Sequence, residues 1–136
     1  IQVAYSVLDQ RMENVLKEAK GKNIGVVNRS VFLKGALTPA GERLPQELAP
    51  LKANLKKIAA VAAELGIPLT DLAIRFSLSN LAVSTALVGT SKLKNLESAV
   101  MAAEAGPLPQ EIITKLKELA IEDPNQVDPA RWPPLD

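Results

Sequence analysis

Neither histidine nor cysteine occurs anywhere in the 136 residues. Without cysteine there is no disulfide, no zinc–thiolate site and no thiol nucleophile, and the redox compartment leaves no trace. Without histidine the commonest general acid–base group near neutral pH is gone, and Ser-His-Asp and Cys-His constellations are excluded. Aromatic residues are scarce, with one Trp, one Tyr and two Phe. No apolar run approaches the roughly 18–20 residues a bilayer-spanning helix needs. Sixteen basic and fifteen acidic residues leave a net charge of +1. That balance gives no electrostatic reason to expect nucleic acid or a membrane surface as partner. The opening Ile1-Gln2-Val3-Ala4-Tyr5 has neither the basic n-region nor the apolar h-region of a signal peptide. It begins inside a strand-like run without an initiator Met, as a chain cut from something longer would.

What is present is a globular composition, 47% apolar, in a length that suits one domain. Three short segments read as strands: Ile1 to Ser6, Ile24 to Asn28, and Val83 to Val88 closed by Gly89. Helical periodicity fills the intervals. Met12, Val15, Leu16 and Ala19 form one stripe; Leu51, Leu55, Ile58, Ala59, Ala62 and Leu65 form another. After Pro68, Thr70-Asp71 reads as an N-cap for a helix holding Leu72, Ile74, Phe76 and Leu78. Ser91 reads as the cap of a helix from Leu93 to Ala105, stopped by Gly106-Pro107. Met101 with Ala99, Ala102 and Ala103 reads as the core face of that helix. A last helix begins near Pro109 and places Ile112, Ile113, Leu116 and Leu119 on one side. The segment 122–136, with four prolines and Trp132, reads as an irregular tail behind a single unit spanning 1–121.

Strands separated by helices imply parallel pairing through right-handed crossovers. Runs such as Gly25-Val26-Val27 and Ala86-Leu87-Val88 fit a sheet buried on both faces. The expected class is α/β, a partial (βα)8 barrel of three parallel strands with helices. A closed eight-stranded barrel needs about 250 residues, so this one would be incomplete, with two bare sheet edges.

Ligands of parallel βα folds bind at the carboxyl ends of the strands. Gly89-Thr90-Ser91 is the sharpest candidate, since a glycine before a helix N-terminus, two hydroxyls and Lys92 would suit a phosphate. Equally, Gly-Thr-Ser before a helix is ordinary punctuation. Arg29, directly after an apolar strand, could clamp a phosphate or stack on a planar ring, or could pair with a neighbouring carboxylate. Gln2 could read an amide, or serve only a local hydrogen bond. Tyr5 reads as packing. Asp9, Glu13, Glu42 and Asp71 show no obvious paired partner, so acid–base catalysis is weakly supported.

Several strings taken together resemble the aldo-keto reductase family. Ile1-Gln2-Val3-Ala4-Tyr5-Ser6 with Leu8-Asp9 is similar to that family's sixth strand. Gly25-Val26-Val27-Asn28-Arg29-Ser30, then Phe32, Gly35 and Leu37-Thr38, resembles its seventh strand and following loop. Leu72-Ala73-Ile74-Arg75-Phe76 and Val83 to Ser91 resemble the next helix and the eighth strand, and Gly106-Pro107-Leu108 the approach to the closing helix. The likeness covers nearly the whole chain in the correct order. It implies the C-terminal half of a cytoplasmic, NADP- or NAD-dependent oxidoreductase on a TIM barrel, acting on an aldehyde, ketone, sugar or alcohol. By motif position Gln2 would hold the nicotinamide carboxamide and Arg29 would lie against its ring. Ser30 and Phe32 would line the pyrophosphate, and Gly89, Thr90, Ser91 and Asn95 the adenosine side.

Departures from the pattern are also visible. Val31 stands where many members carry Pro, Ala99 where an adenine-contacting Asn is frequent, and Asn95 is not replaced by Lys or Arg, although Lys92 could serve a 2′-phosphate. The family's catalytic Asp, Tyr, Lys and His belong to its first four strands, which have no counterpart here. The expectation is therefore a cofactor-holding part, inactive alone, that complements a missing N-terminal half. The alternative is a non-catalytic half-barrel that self-associates through its bare edges.

Overall fold

A computed structural model describes residues 1–135. Three strands, β1 (Gln2–Ala4), β2 (Val27–Arg29) and β3 (Thr85–Ala86), form one parallel sheet in the order β1-β2-β3. Gln2, Val3 and Ala4 lie opposite Val27, Asn28 and Arg29, and Val27 and Asn28 lie opposite Thr85 and Ala86. The expected α/β class, parallel pairing and strand positions hold. The strands are shorter than their apolar runs, and β1 and β3 each pair on one side only.

Helix α1 (Glu13–Gly21) connects β1 to β2. A loop with short 3-10 turns at Pro39–Arg43 and Gln46–Leu48 leads to α2 (Ala49–Glu64) and α3 (Leu69–Ser79) before β3. Helices α4 (Leu93–Glu104) and α5 (Gln110–Lys117) follow. The tail carries a one-turn helix α6 (Pro124–Val127) and a 3-10 turn at Pro129–Arg131. Among the described residues no helix is long and apolar enough to cross a membrane.

Two expected caps are corrected. Thr70 and Asp71 lie inside the first turn of α3, whose N-cap position is Pro68 with no side-chain cap. Proline pre-sets the backbone there, and Asp71 in the first turn complements the helix dipole. Ser91 does not cap α4: the Thr90 hydroxyl one residue earlier accepts from the Lys92 N–H at 3.2 Å and from the Asn95 amide at 3.2 Å. The stop at Gly106 holds, with φ +79 just past the end of α4, a conformation that favours glycine. Arg75 of α3 binds that stop, donating from Nε to the Gly106 carbonyl at 2.8 Å and from Nη2 to that of Pro107 at 3.0 Å.

The helices cover one face of the sheet. Val3, Tyr5, Val7, Leu8, Leu16, Val26, Leu72, Phe76 and Leu116 form its core, and Tyr5 stacks on Phe76 with ring centroids 5.7 Å apart. Asn28 is the polar member of that layer. Its amide donates to the Tyr5 carbonyl at 3.0 Å and to the Ser77 hydroxyl, tying β1 and β2 to α3. The sheet is not buried on both faces as expected: Gln2, Arg29, Thr85 and Leu87 are exposed on the opposite side. Strand alternation places Gln2, Ala4, Val27 and Arg29 on this uncovered face.

Helix α4 corrects a further expectation. Only Ala102 of its apolar residues is fully buried; Met101 is 69% exposed, and Leu93, Leu96 and Val100 are also open. On the other flank Met12 and Val15 of the α1 region are partly exposed. The tail packs inward through Val127 and Trp132, both buried. Gln126 pins it to the start of α2, accepting from the Leu51 N–H at 3.3 Å and donating to the Glu47 carbonyl at 3.2 Å.

Candidate functional site

The carboxyl ends of the strands open onto two clefts. The first, about 280 Å³, is lined by Gln2 from the start of β1, by Arg29 and Ser30 from the end of β2, by Asp9 and Arg11 from the β1–α1 loop, and by Asp128 from the tail. The second, about 360 Å³, is lined by Phe32, Asp71, Gly89, Thr90, Asn95 and Ala99. Ser30 and Phe32 stand two residues apart on one loop, so that loop borders both. Of the eight residues singled out in the sequence, seven thus fall on two neighbouring clefts. Ser91 lines neither.

Arg29 is exposed on the open sheet face, directly beside Ala4 of β1. Among the described residues no carboxylate pairs with it, and its contact is a long hydrogen bond, 3.4 Å, from Nη1 to the Ser30 hydroxyl. Its structural reading, pairing with a neighbouring acid, is therefore set aside among the described residues. Ser30 has φ +64, a left-handed conformation that costs a non-glycine residue roughly 1 kcal/mol or more. The turn after β2 requires it: the Ser30 carbonyl accepts from the Leu33 N–H at 2.8 Å and reverses the chain into the loop.

At the third strand end, Thr90 supplies the organisation. Holding Lys92 and Asn95 through its hydroxyl, it leaves the Leu93 and Lys94 N–H groups at the start of α4 without intrahelical acceptors. A Cβ on Gly89 would meet no atom within 4 Å, so the glycine leaves open space before that helix end.

Two acids expected to stand alone are paired. Asp9, 4% exposed, takes a forked pair of bonds from Arg11, Nε to Oδ1 at 2.8 Å and Nη2 to Oδ2 at 2.9 Å. The Asp9 backbone N–H in turn donates to the Ser6 hydroxyl at 3.1 Å. Hydrogen bonding to Asp9 raises the Arg11 pKa above its ordinary value, with Asp128 and Glu122 adding to the field. Glu13 accepts from the Tyr5 hydroxyl at 3.2 Å and pairs with Lys117 at 2.8 Å. Burial lifts the Tyr5 phenol above its usual range, and Glu13 pushes the same way. Tyr5 is thus a neutral packing residue, as expected. Arg11 and Asp128 went unnoticed in the sequence; the one available signal was the Asp9-x-Arg11 spacing, since Asp128 reaches the cleft only through the tail's fold.

A parallel βα sheet with clefts at its strand ends, one lined by an amide and a guanidinium and the other by a helix N-terminus with hydroxyls, is the architecture of a βα-barrel segment. Residues 1–121 match the model of the Aldo/keto reductase family, and the chain belongs to that family. It is 32% identical over 136 residues to L-galactose dehydrogenase of Arabidopsis thaliana, covering 95% of this chain and 40% of that protein. Its fold is similar to the aldo-keto reductase AKR11C1 of Bacillus halodurans in the apo form, with TM-score 0.73, 27% identity, and coverage of 90% of this chain and 44% of that one. The holo form gives TM-score 0.72 at the same 27% identity, covering 90% and 41%. A thermostable aldo-keto reductase, Tm1743, shares the fold at TM-score 0.67 and 17% identity, over 87% and 38%. The chain spans about two-fifths of the length of the curated relative it matches.

Proposed function

We propose that this chain is the cofactor-holding C-terminal half of an NAD(P)-dependent reductase of small carbonyl or sugar substrates, without turnover of its own. The observation that carries this reading is the open sheet face. Gln2 and Arg29 share the face the helices leave uncovered, Gln2 opposite Val27 and Arg29 opposite Ala4, and both line a cleft with Ser30. The donor set fits a nicotinamide dinucleotide. Gln2 can donate to and accept from a carboxamide, Arg29 offers a flat cation to a ring or phosphate, and Ser30 and the loop to Phe32 run from that cleft to the second. There Gly89, Thr90, Asn95 and the free N–H groups of α4 suit a phosphate-bearing adenosine, with Ser91 next to Thr90 in sequence but outside the cleft lining. When bound, the dinucleotide supplies or takes up hydride; this chain's residues would bind and orient it.

The chain contributes no proton donor for a carbonyl oxygen. It has no histidine, and its single Tyr is buried with its hydroxyl committed to Glu13. The bare outer edges of β1 and β3, flanked by the exposed apolar residues of α1 and α4, support an N-terminal half as the missing neighbour. The same exposed stripe on α4 favours a second reading, a half-barrel that self-associates.

NAD(P)H-dependent carbonyl reduction by the purified 136 residues is expected to stay at the uncatalysed rate. A measurable rate abolished by Arg29→Ala would overturn the reading.

A further inference from the structure

A further cleft, about 290 Å³, lies on the side of the sheet that the helices cover, lined from α1, α3 and α5. Three lysines border it, Lys17 and Lys20 from α1 and Lys117 from α5, against one carboxylate, that of Glu13. The chain as a whole is almost neutral, at +1, so this excess of positive charge is local. The cleft shares no lining residue with the second strand-end cleft and only Tyr5 with the first. We propose that it binds a small phosphate monoester, a soluble organic phosphate with a short carbon body, at a site separate from the one proposed for the dinucleotide.

The way Glu13 is held leaves lysines without partners. Glu13 and Lys17 stand four residues apart on α1, the usual spacing of a helical ion pair. Here Glu13 Oε1 instead accepts from the Tyr5 hydroxyl at 3.2 Å and pairs with Lys117 Nζ at 2.8 Å. Tyr5 is 1% exposed, so the carboxylate is anchored to a buried group. Lys17 and Lys20, about one turn apart on the same helix, have no carboxylate partner among the described residues. A neutral donor joins them. Asn80, half-buried, has its Oδ1 taken by the Ala82 N–H at 3.1 Å, so its NH2 group is the donor it brings to the cleft. Phe76, Ala82 and Ile113 supply an apolar wall. That division suits an anionic head with a few carbons behind it.

The charge selects the anion. A phosphate monoester carries about −1.5 to −2 at neutral pH, which matches the two unpaired lysines, whereas a carboxylate carries a single charge. Ammonium groups hold phosphate as point charges, while planar pairing with a carboxylate is the strength of arginine, and no arginine lines this cleft. Phosphatidate in a bilayer presents the same head group, so vesicles containing it serve as the control for a lipid source.

Proton–nitrogen correlation NMR on the full chain, titrated with glycerol 3-phosphate, tests this. Saturable shifts are expected at Lys17, Lys20 and the Asn80 side-chain amide, with propionate binding at least about tenfold more weakly. Lys17→Gln combined with Lys20→Gln should weaken the ester about tenfold or more, the effect of losing contacts to a charged group; both side chains are exposed, so the fold is retained. Glu13→Gln gives a readout of opposite sign, one that simple damage to the cleft would not produce. It releases Lys117 while keeping an acceptor for Tyr5, and should tighten binding about twofold to fivefold, the scale of an ion pair near the surface. No saturable shift, shifts confined to Thr90 and Asn95 of the second cleft, or propionate binding as tightly as the ester would each overturn the proposal. So would an affinity untouched by the double lysine variant, weaker binding in Glu13→Gln, or capture by phosphatidate vesicles without binding of the soluble ester.

Discussion

Phe76→Ala is expected to destabilise the chain by about 3–5 kcal/mol, the usual cost of emptying an aromatic site in a packed core. Phe76 is 1% exposed at the centre of α3 and stacks on Tyr5 at the end of β1, so it joins the helix layer to the covered face of the sheet. The open face and bare edges contribute little burial, leaving stability concentrated in this single layer. Domains of this size are stable by only about 5–15 kcal/mol, so the loss would consume much of the total. Urea titration followed by circular dichroism checks it. Phe76→Leu, which keeps most of the volume, should cost markedly less, and equal midpoints for the two variants would contradict the assignment.

Gly41→Ala should be nearly as damaging, for a backbone reason. A Cβ at Gly41 would lie 2.1 Å from the Ala36 carbonyl oxygen and 2.8 Å from Leu55 Cδ2. Leu55 could turn aside, but the carbonyl belongs to the compact loop after β2 and cannot move without opening it. Overpacking commonly costs about 1–3 kcal/mol, and a clash with main chain belongs at the upper end. The expected result is a lowered thermal midpoint, together with weaker binding in the second cleft, since Phe32, Thr38 and Pro39 of the same loop line it. Wild-type stability in Gly41→Ala would show that the loop is loose.

Much of this architecture could be read from the chain because period and punctuation agreed. The stripe from Leu51 to Leu65 became α2, Gly106 ended α4, and each apolar run supplied a parallel strand. What could not be read depended on which faces found partners. Met101 sits in a helical stripe of the kind that packs in a core, but periodicity shows only that a face is apolar, not that something covers it. The same holds for Gly25-Val26-Val27 and Ala86-Leu87-Val88, whose composition suits a sheet covered on both sides while only one side is covered. At the site, Arg29 and the Gly89–Ser91 turn were visible from their positions at strand ends, and Gln2 from its place in the first strand. The Asp9–Arg11 fork and Asp128 were not, because a charged pair two residues apart resembles any solvated loop, and Asp128 lies well over a hundred residues from Gln2 in sequence. That the Thr90 hydroxyl, not that of Ser91, reaches the Lys92 N–H, and that no side chain caps α4, is a local matter of geometry that residue type alone does not decide.

The central proposal is that these residues would grip a nicotinamide dinucleotide without turnover of their own. Calorimetric titration of the intact chain with NADPH, repeated with Arg29→Ala, tests it most directly. The account predicts weak, saturable binding of one dinucleotide per chain, with affinity reduced about tenfold by Arg29→Ala through the loss of a charge-assisted contact. No saturable binding by the folded chain, or binding indifferent to Arg29→Ala, would contradict it.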